Sequence, residues 1–176
     1  WDYAEEKWVI DDSNVNDLDY QQHIFAAYAS YGYRFSKLTL KAGTRLEYTL
    51  NRGLSKSASG NLTFDNSNFN IVPYLNAAWK IDSRNTLSAS YTRRLGRPSV
   101  TYLNPYIFEE SPYSKMHGNP DLRTVVSDAL TLTYRTSGET WDLTARTYGS
   151  LCNNKIEYLS EVYPDGGKVS TYRNAV

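Results

Sequence analysis

Residues 37–50, Lys-Leu-Thr-Leu-Lys-Ala-Gly-Thr-Arg-Leu-Glu-Tyr-Thr-Leu, alternate so strictly that few folds can accept them. In an extended chain, successive side chains point to opposite faces. Leu38, Leu40, Ala42, Leu46, Tyr48 and Leu50 therefore share one face, and Lys37, Thr39, Lys41, Arg45 and Glu47 the other. The pattern runs more than twice as long as an ordinary strand of about 5 to 6 residues. Long strands that are apolar on one side and charged on the other are the mark of an outer-membrane barrel stave. Lys41 and Arg45 on a lipid-facing side would together cost several kcal/mol, at about 2 to 4 each at mid-membrane. The same face of the strand is thus expected to line a wet lumen.

The pattern recurs, predicting about eight strands near 1–10, 20–35, 37–50, 69–82, 84–95, 125–136, 139–163 and 168–176. Short connections fall at Phe35-Ser36-Lys37, Asp82-Ser83-Arg84 and Thr136-Ser137-Gly138-Glu139, where Ser, Asp and Gly supply turn chemistry. Long ones are expected at 11–19, 51–68 and 96–124. In an up-and-down meander this alternation collects long loops at one end and short turns at the other, as outer-membrane barrels do. Pro164-Asp165-Gly166-Gly167 should close a hairpin beyond the membrane. Near Asn153-Asn154 the apolar residues change from odd positions (Trp141, Leu143, Ala145, Leu151) to even ones (Ile156, Tyr158), which predicts a bulge or bend.

Aromatic placement is an independent sign, because Tyr and Trp favour the headgroup level. Tyr33, Phe35, Trp79, Tyr134 and Trp141 stand beside the short turns, and Tyr48 and Phe69 toward the long loops. Ten residues separate Trp79 from Phe69, which at about 3.3 Å per residue and a tilt near 40° is about 25 Å of membrane normal. Arg93 strains the pattern, since it shares the register of Leu87 and Ala89 and is tolerable only at the outer headgroups.

No apolar run is long enough for a membrane helix. The mean hydropathy of −0.59 does not exclude a membrane when half of every stave faces water. Net charge is zero and no Lys/Arg block stands out, so nucleic acid has no electrostatic footprint. A lone Cys152 excludes an internal disulfide framework and a Cys-rich zinc site. Asp12 to Asp19 starts like a calcium loop, but Asp17 stands where glycine is required and His23 where the closing glutamate belongs; a solvated acidic turn is expected, and no metal. Asn61-Leu62-Thr63 is a chance sequon. His23 and His117 fit no catalytic or metal spacing, and Glu109 and Glu110, as neighbours on an extended chain, point apart. No enzyme and no cofactor is expected.

The run Tyr91-Thr92-Arg93-Arg94-Leu95-Gly96-Arg97-Pro98, then Tyr102-Leu103-Asn104-Pro105-Tyr106 and Gly118-Asn119-Pro120-Asp121-Leu122, resembles the barrel of TonB-dependent receptors. It is most similar to the outer-membrane β-barrel family abundant in Bacteroidetes, with Tyr20 to Phe35 and residues 37–50 extending the likeness over most of the chain. Leu122-Arg123-Thr124-Val125 departs from the family's usual Leu-Lys-Pro-Glu. The resemblance implies an all-β, antiparallel up-and-down transmembrane barrel of 22 strands, of which residues 1–176 are a portion of the barrel domain. It also implies an N-terminal plug outside these residues, a periplasmic TonB-type coupler acting through that plug, and in some members a surface lipoprotein. Within that frame Lys41, Arg45, Glu47, Asn76, Lys80 and Arg146 are expected to line the lumen. Arg97, Tyr102, Tyr106, Phe108, Glu109, Glu110, Tyr113 and Lys115, in the long loop 96–124, are candidates to touch a siderophore, glycan or peptide; alternatively its aromatics pack the loop into the barrel mouth. The competing readings are a complete eight-stranded structural or adhesive barrel, whose side chains would fill the lumen, and a soluble β-rich carbohydrate-binding module.

Overall fold

The computed structural model describes residues 15–58 and 60–175. The strand expected at 1–10 lies outside them. Six antiparallel strands form one meander in the order β1 (Asn16–Phe35), β2 (Leu38–Ser57), β3 (Gly60–Lys80), β4 (Asn85–Gly96), β7 (Val125–Ser137) and β8 (Asp142–Asn153). Among the described residues this sheet is open, with β1 and β8 at its two edges. Between β4 and β7 the chain makes a short helix, α1 (Val100–Leu103), and a hairpin of β5 (Phe108–Ser111) and β6 (Ser114–Met116). After β8 come β9 (Ile156–Val162) and β10 (Lys168–Asn174), and β10 pairs with β6 in parallel to make a second, four-stranded sheet.

The register gives every strand the same two faces. Lys41 pairs with Asn76, Asn76 with Ser90, Ser90 with Thr131 and Thr131 with Tyr148, a polar row across the sheet. One residue along, Leu40 pairs with Ala77, Ala77 with Ala89 and Ala89 with Leu132. The apolar face carries exposed Phe25, Leu46, Ile71, Leu75, Leu130 and Leu151, a surface no water-filled surrounding favours.

The connection expected at 51–68 is instead strand: β2 and β3 stay paired from Leu38↔Trp79 to Ser57↔Gly60. Likewise β1 begins at Asn16, inside the stretch expected as a loop. The calcium-like pattern is pulled apart as a consequence, because Asn16 and Leu18 lie on one face of β1 and Asp17 and Asp19 on the other. No cluster of three or more metal-ligating side chains occurs among the described residues. The sequence misled here because the apolar side changes. In the lower part of the sheet the apolar residues look outward. In the upper part Leu18, Tyr20, Phe64, Ile156 and Tyr172 look inward, onto Leu103 and Leu122 of the long loop.

The stave expected at 139–163 breaks at Asn154, whose φ of 55° is the bend anticipated near Asn153-Asn154. The even positions stay inward through it; only the apolar side switches. Short turns fall where expected. Phe35 pairs directly with Leu38 across a two-residue turn, and the Asp82 carboxylate accepts from the backbone N–H groups of Arg84 and Asn85 at 2.8 Å each.

Candidate functional site

The long loop is fastened to the polar face by a buried carboxylate. Glu47 on β2 has a fully buried side chain, and both Arg45 and Arg97 donate to it. Arg97 stands one residue past the end of β4, and its Nε lies 3.0 Å from Glu47 Oε1. A buried carboxylate is tolerated only when its charge and lone pairs are met, and two guanidiniums meet them here. Thr49 Oγ1 donates to the same Oε1 at 3.4 Å, while Arg45 holds Oε2.

Above Glu47 the fastening is done by asparagines. Asn66, Asn68 and Asn70 occupy alternate positions of β3 and so share the polar face. Asn66 Nδ2 donates to the carbonyls of Pro120 and Leu122 at 2.6 and 2.8 Å, Asn68 Oδ1 accepts from the Thr124 N–H at 3.3 Å, and Asn70 Nδ2 donates to Thr124 Oγ1 at 3.3 Å. Residues 120–124 have no strand partner, and these amides satisfy backbone groups that would otherwise lack one. Asn51 donates to Asn66 Oδ1 and accepts from Tyr20 and Gln22, tying the row to β1. Burial raises the Tyr20 phenol above its ordinary pKa, so at neutral pH it stays a donor.

Beneath the loop sits a small core of Phe64, Leu103 and Leu122. Phe64 lies flat across Gly53, where a Cβ would meet the ring at 2.2 Å, so only glycine fits opposite it. Gly118 is equally confined, since a Cβ there would stand 2.6 Å from the carbonyl oxygens of Tyr102 and Asn104.

The eight loop residues singled out from the sequence do not form one surface. Arg97 is held by Glu47. Tyr102 is half-buried against Tyr172, with ring centroids 4.3 Å apart, and Tyr106 is buried edge-on to a half-buried Phe108 at 4.7 Å. The remaining four cluster on the β5–β6 hairpin. Lys115 Nζ lies 2.7 Å from Glu109 Oε1, Glu110 accepts from Ser114 Oγ at 2.9 Å, and Tyr113 is exposed. Burial also raises the Tyr172 phenol above its usual pKa, with lesser contributions from Tyr102, Tyr158 and Glu110.

The six lumen candidates, Lys41, Arg45, Glu47, Asn76, Lys80 and Arg146, share the polar face. Sequence reasoning missed their companions Arg34, Arg94 and Arg135, which the same registers add. Against Arg34, Lys41, Arg45, Lys80, Arg94, Arg135 and Arg146 this face of the strands carries only Glu47 and Asp142 as acids among the described residues. The wall is strongly basic although the chain is neutral overall. The period-two signal was present all along; what was missing was the strand-to-strand register that sums it. The Asn66-Asn68-Asn70 row was equally visible as spacing, but lay in a stretch read as loop.

On the apolar face stand Tyr33, Phe35, Tyr48, Phe69, Trp79, Tyr134 and, beside β8, Trp141, all exposed. Between these levels the face carries just two charges among the described residues, Arg93 and Asp128, and they are directly opposed. Arg93 grips Asp128 with Nε and Nη2 at 2.8 and 2.9 Å, and the Tyr91 hydroxyl donates to the same carboxylate at 2.6 Å.

A sheet apolar outside, basic inside and capped by an inward-packed loop at one end is a segment of an outer-membrane β-barrel wall. The chain belongs to the outer membrane protein beta-barrel family, whose profile matches residues 2–176. Its structure is similar to the siderophore receptor PirA from Pseudomonas aeruginosa, at 15% identity and a TM-score of 0.54 over 90% of this chain and 37% of that one. It is similar as well to a variant of the ferric enterobactin receptor PfeA from Pseudomonas aeruginosa in complex with enterobactin (15% identity, TM-score 0.54, 89% of this chain and 32% of that one). A third relative in structure is PirA from Acinetobacter baumannii (14%, 0.52, 90% and 33%). The chain spans about a third of the length of these receptors. No curated protein sequence matches it. The protein therefore resides in the bacterial outer membrane, with its apolar face toward lipid.

Proposed function

We propose that these residues form part of a larger barrel that takes up a small anionic ligand from outside the cell, the polar face lining the passage. The observation that carries this reading is the charge of that face. Arg94, Arg146 and Lys41 stand on a wall with scarcely any acid to offset them, and such a field concentrates anions and repels cations. The likeness to siderophore receptors supports the class of process, and the open edges of the six-stranded sheet support a wider barrel than these staves alone would make. In this reading the plug lies elsewhere in the protein and couples to a periplasmic TonB-type partner. The loop 97–124 covers the mouth, and Glu109, Glu110, Tyr113 and Lys115 are its outermost contacts, open to a ligand or to a surface lipoprotein.

The test is uptake by the intact protein in whole cells. Paired substitutions R94Q and R146Q should reduce uptake of an anionic ferric catecholate severalfold and leave a neutral oligosaccharide of similar size unchanged. Equal loss for both cargoes, or no loss for either, would contradict an electrostatic path.

A further inference from the structure

We propose that the polar face carries a subsite for a carboxylate borne on a flat aromatic body, formed by Arg45 and Arg94 with the rings of Tyr28 and Tyr74. With Val72 and Thr92 these side chains wall a cavity of about 310 Å³. All six belong to the lumen side of β1 to β4, and the row between them, with Thr44 and Pro73, turns its side chains outward and leaves backbone as the floor. The inference rests on the reading of this face as a path for anions, and it names the anion.

The register builds the cavity. Arg45 pairs with Tyr28 on one side and with Val72 on the other. Thr92 pairs with Tyr74, so Arg94, two residues further on, comes level with Val72, two residues back. Two arginines thus flank one valine, with backbones about 10 Å apart at two strand spacings. Tyr74 lies across Gly43, where a Cβ would meet its ring at 2.6 Å, so the ring rests against the wall instead of closing the space. Tyr28 is 84% exposed, an aromatic side chain left standing on the polar face.

The charge calls for an anion. Arg94 is exposed, and among the described residues its side chain makes no ion pair or hydrogen bond. Arg45 shares the single charge of Glu47 with Arg97, so that cluster also keeps a net positive charge. The cavity beside these arginines is mostly carbon, which selects among anions. Inorganic phosphate would give up water on every side and gain no apolar contact in return. A carboxylate on an aromatic ring offers two oxygens to a guanidinium and its flat face to a tyrosine. The volume stands at the low end of ligand pockets, about 300 to 1,000 Å³, and so admits one ring and its carboxylate.

The test uses the intact outer-membrane protein in mild detergent, titrated by fluorine NMR with 4-fluorobenzoate and with its neutral isostere 4-fluorobenzamide. The unaltered protein should bind the acid at least tenfold more tightly than the amide, and inorganic phosphate should displace the acid at least tenfold less effectively than unlabelled benzoate does. R94Q should weaken the acid about tenfold and leave the amide unchanged. Y28L should weaken both about threefold. Both side chains are exposed, so heat modifiability on gels should stay as in the unaltered protein. Equal binding of acid and amide by the unaltered protein, displacement by phosphate as effective as by benzoate, or undiminished binding of the acid by R94Q would overturn the proposal. Loss of anion uptake in R94Q with R146Q, in a protein that binds no 4-fluorobenzoate, would remove this subsite and leave the path for anions standing.

Discussion

The lower and upper halves of the same staves solve opposite problems. Below Phe25, Tyr48 and Phe69 the strands are apolar outward and polar inward; above them Leu18, Tyr20, Phe64, Ile156 and Tyr172 turn their bulk inward. The backbone ladder runs through the change without interruption in β1, β2 and β3. What differs is the solvent. In lipid the greasy side must face out because the bilayer is its partner; in water it must find another partner, and the chain supplies one by folding loop 97–124 inward. A stave is thus one backbone with two side-chain programmes, and the level at which they exchange marks the membrane surface.

Breaking the upper half alone should expose this division most clearly. E47A leaves Arg45 and Arg97 without their shared carboxylate, and removing one member of a buried ionic cluster costs about 3 to 5 kcal/mol. We expect loop 97–124 to become cleavable by protease added outside cells while the staves stay folded by circular dichroism. L103A removes the most buried side chain of the loop core, a change that typically costs about 2 to 5 kcal/mol. Hydrogen exchange should quicken at residues 100–124 and stay slow in the lower halves of β2 and β3.

The lower half should respond to charge. D128A strands Arg93 on the lipid side, at a cost falling from about 2 to 4 kcal/mol at mid-membrane to about 0 to 1 near the surface. Urea unfolding in vesicles should register this loss, and R93L with D128L should restore or exceed the original stability, since apolar replacements of a paired charge are often neutral or better. The smallest effect belongs to the turn between β3 and β4. The side-chain amide of Asn85 and the Arg84 N–H hold the Asp82 carboxyl below its ordinary 3.8. Because the folded value is the lower one, the turn's extra stability is complete above the ordinary value and fades as pH falls through the folded value. Amide exchange at Arg84 and Asn85 should quicken in acid below about pH 4, and D82N should remove that dependence.

How much of this was legible followed from which half a residue occupies. In residues 37–50 one partner, lipid, dictates one face for the whole run, so alternation alone gave strand and face. In 51–68 Asn51, Ser55 and Asn66 are polar and yet buried: Asn66 bonds to the loop and to Asn51, and Ser55 to Asn16 of β1. Local pattern reads such residues as loop; only partners distant in sequence, 54 to 56 positions away for Asn66 and 39 for Ser55, explain them. Arg93 announced itself as an anomaly of register, whereas Asp128, its remedy, lies 35 positions on and became visible only when β4 met β7. In the loop, Tyr102 and Tyr106 read as contacts for a ligand by type, and their burial depends on Tyr172 and Phe108, which no spacing rule connects.

The exchange of faces is open to direct measurement by single cysteines along β2, from Leu38 to Ser57, each spin-labelled in the intact protein in lipid with Cys152 replaced by serine. Collision with oxygen, which concentrates in the bilayer, should alternate with period two from Leu38 to Tyr48, high at Leu40 and Leu46 and low at Lys41 and Arg45, and should lose that alternation beyond Leu50. Oxygen access that alternates undiminished to Ser57, or is low and flat from Leu38 onward, would contradict a membrane surface at this level.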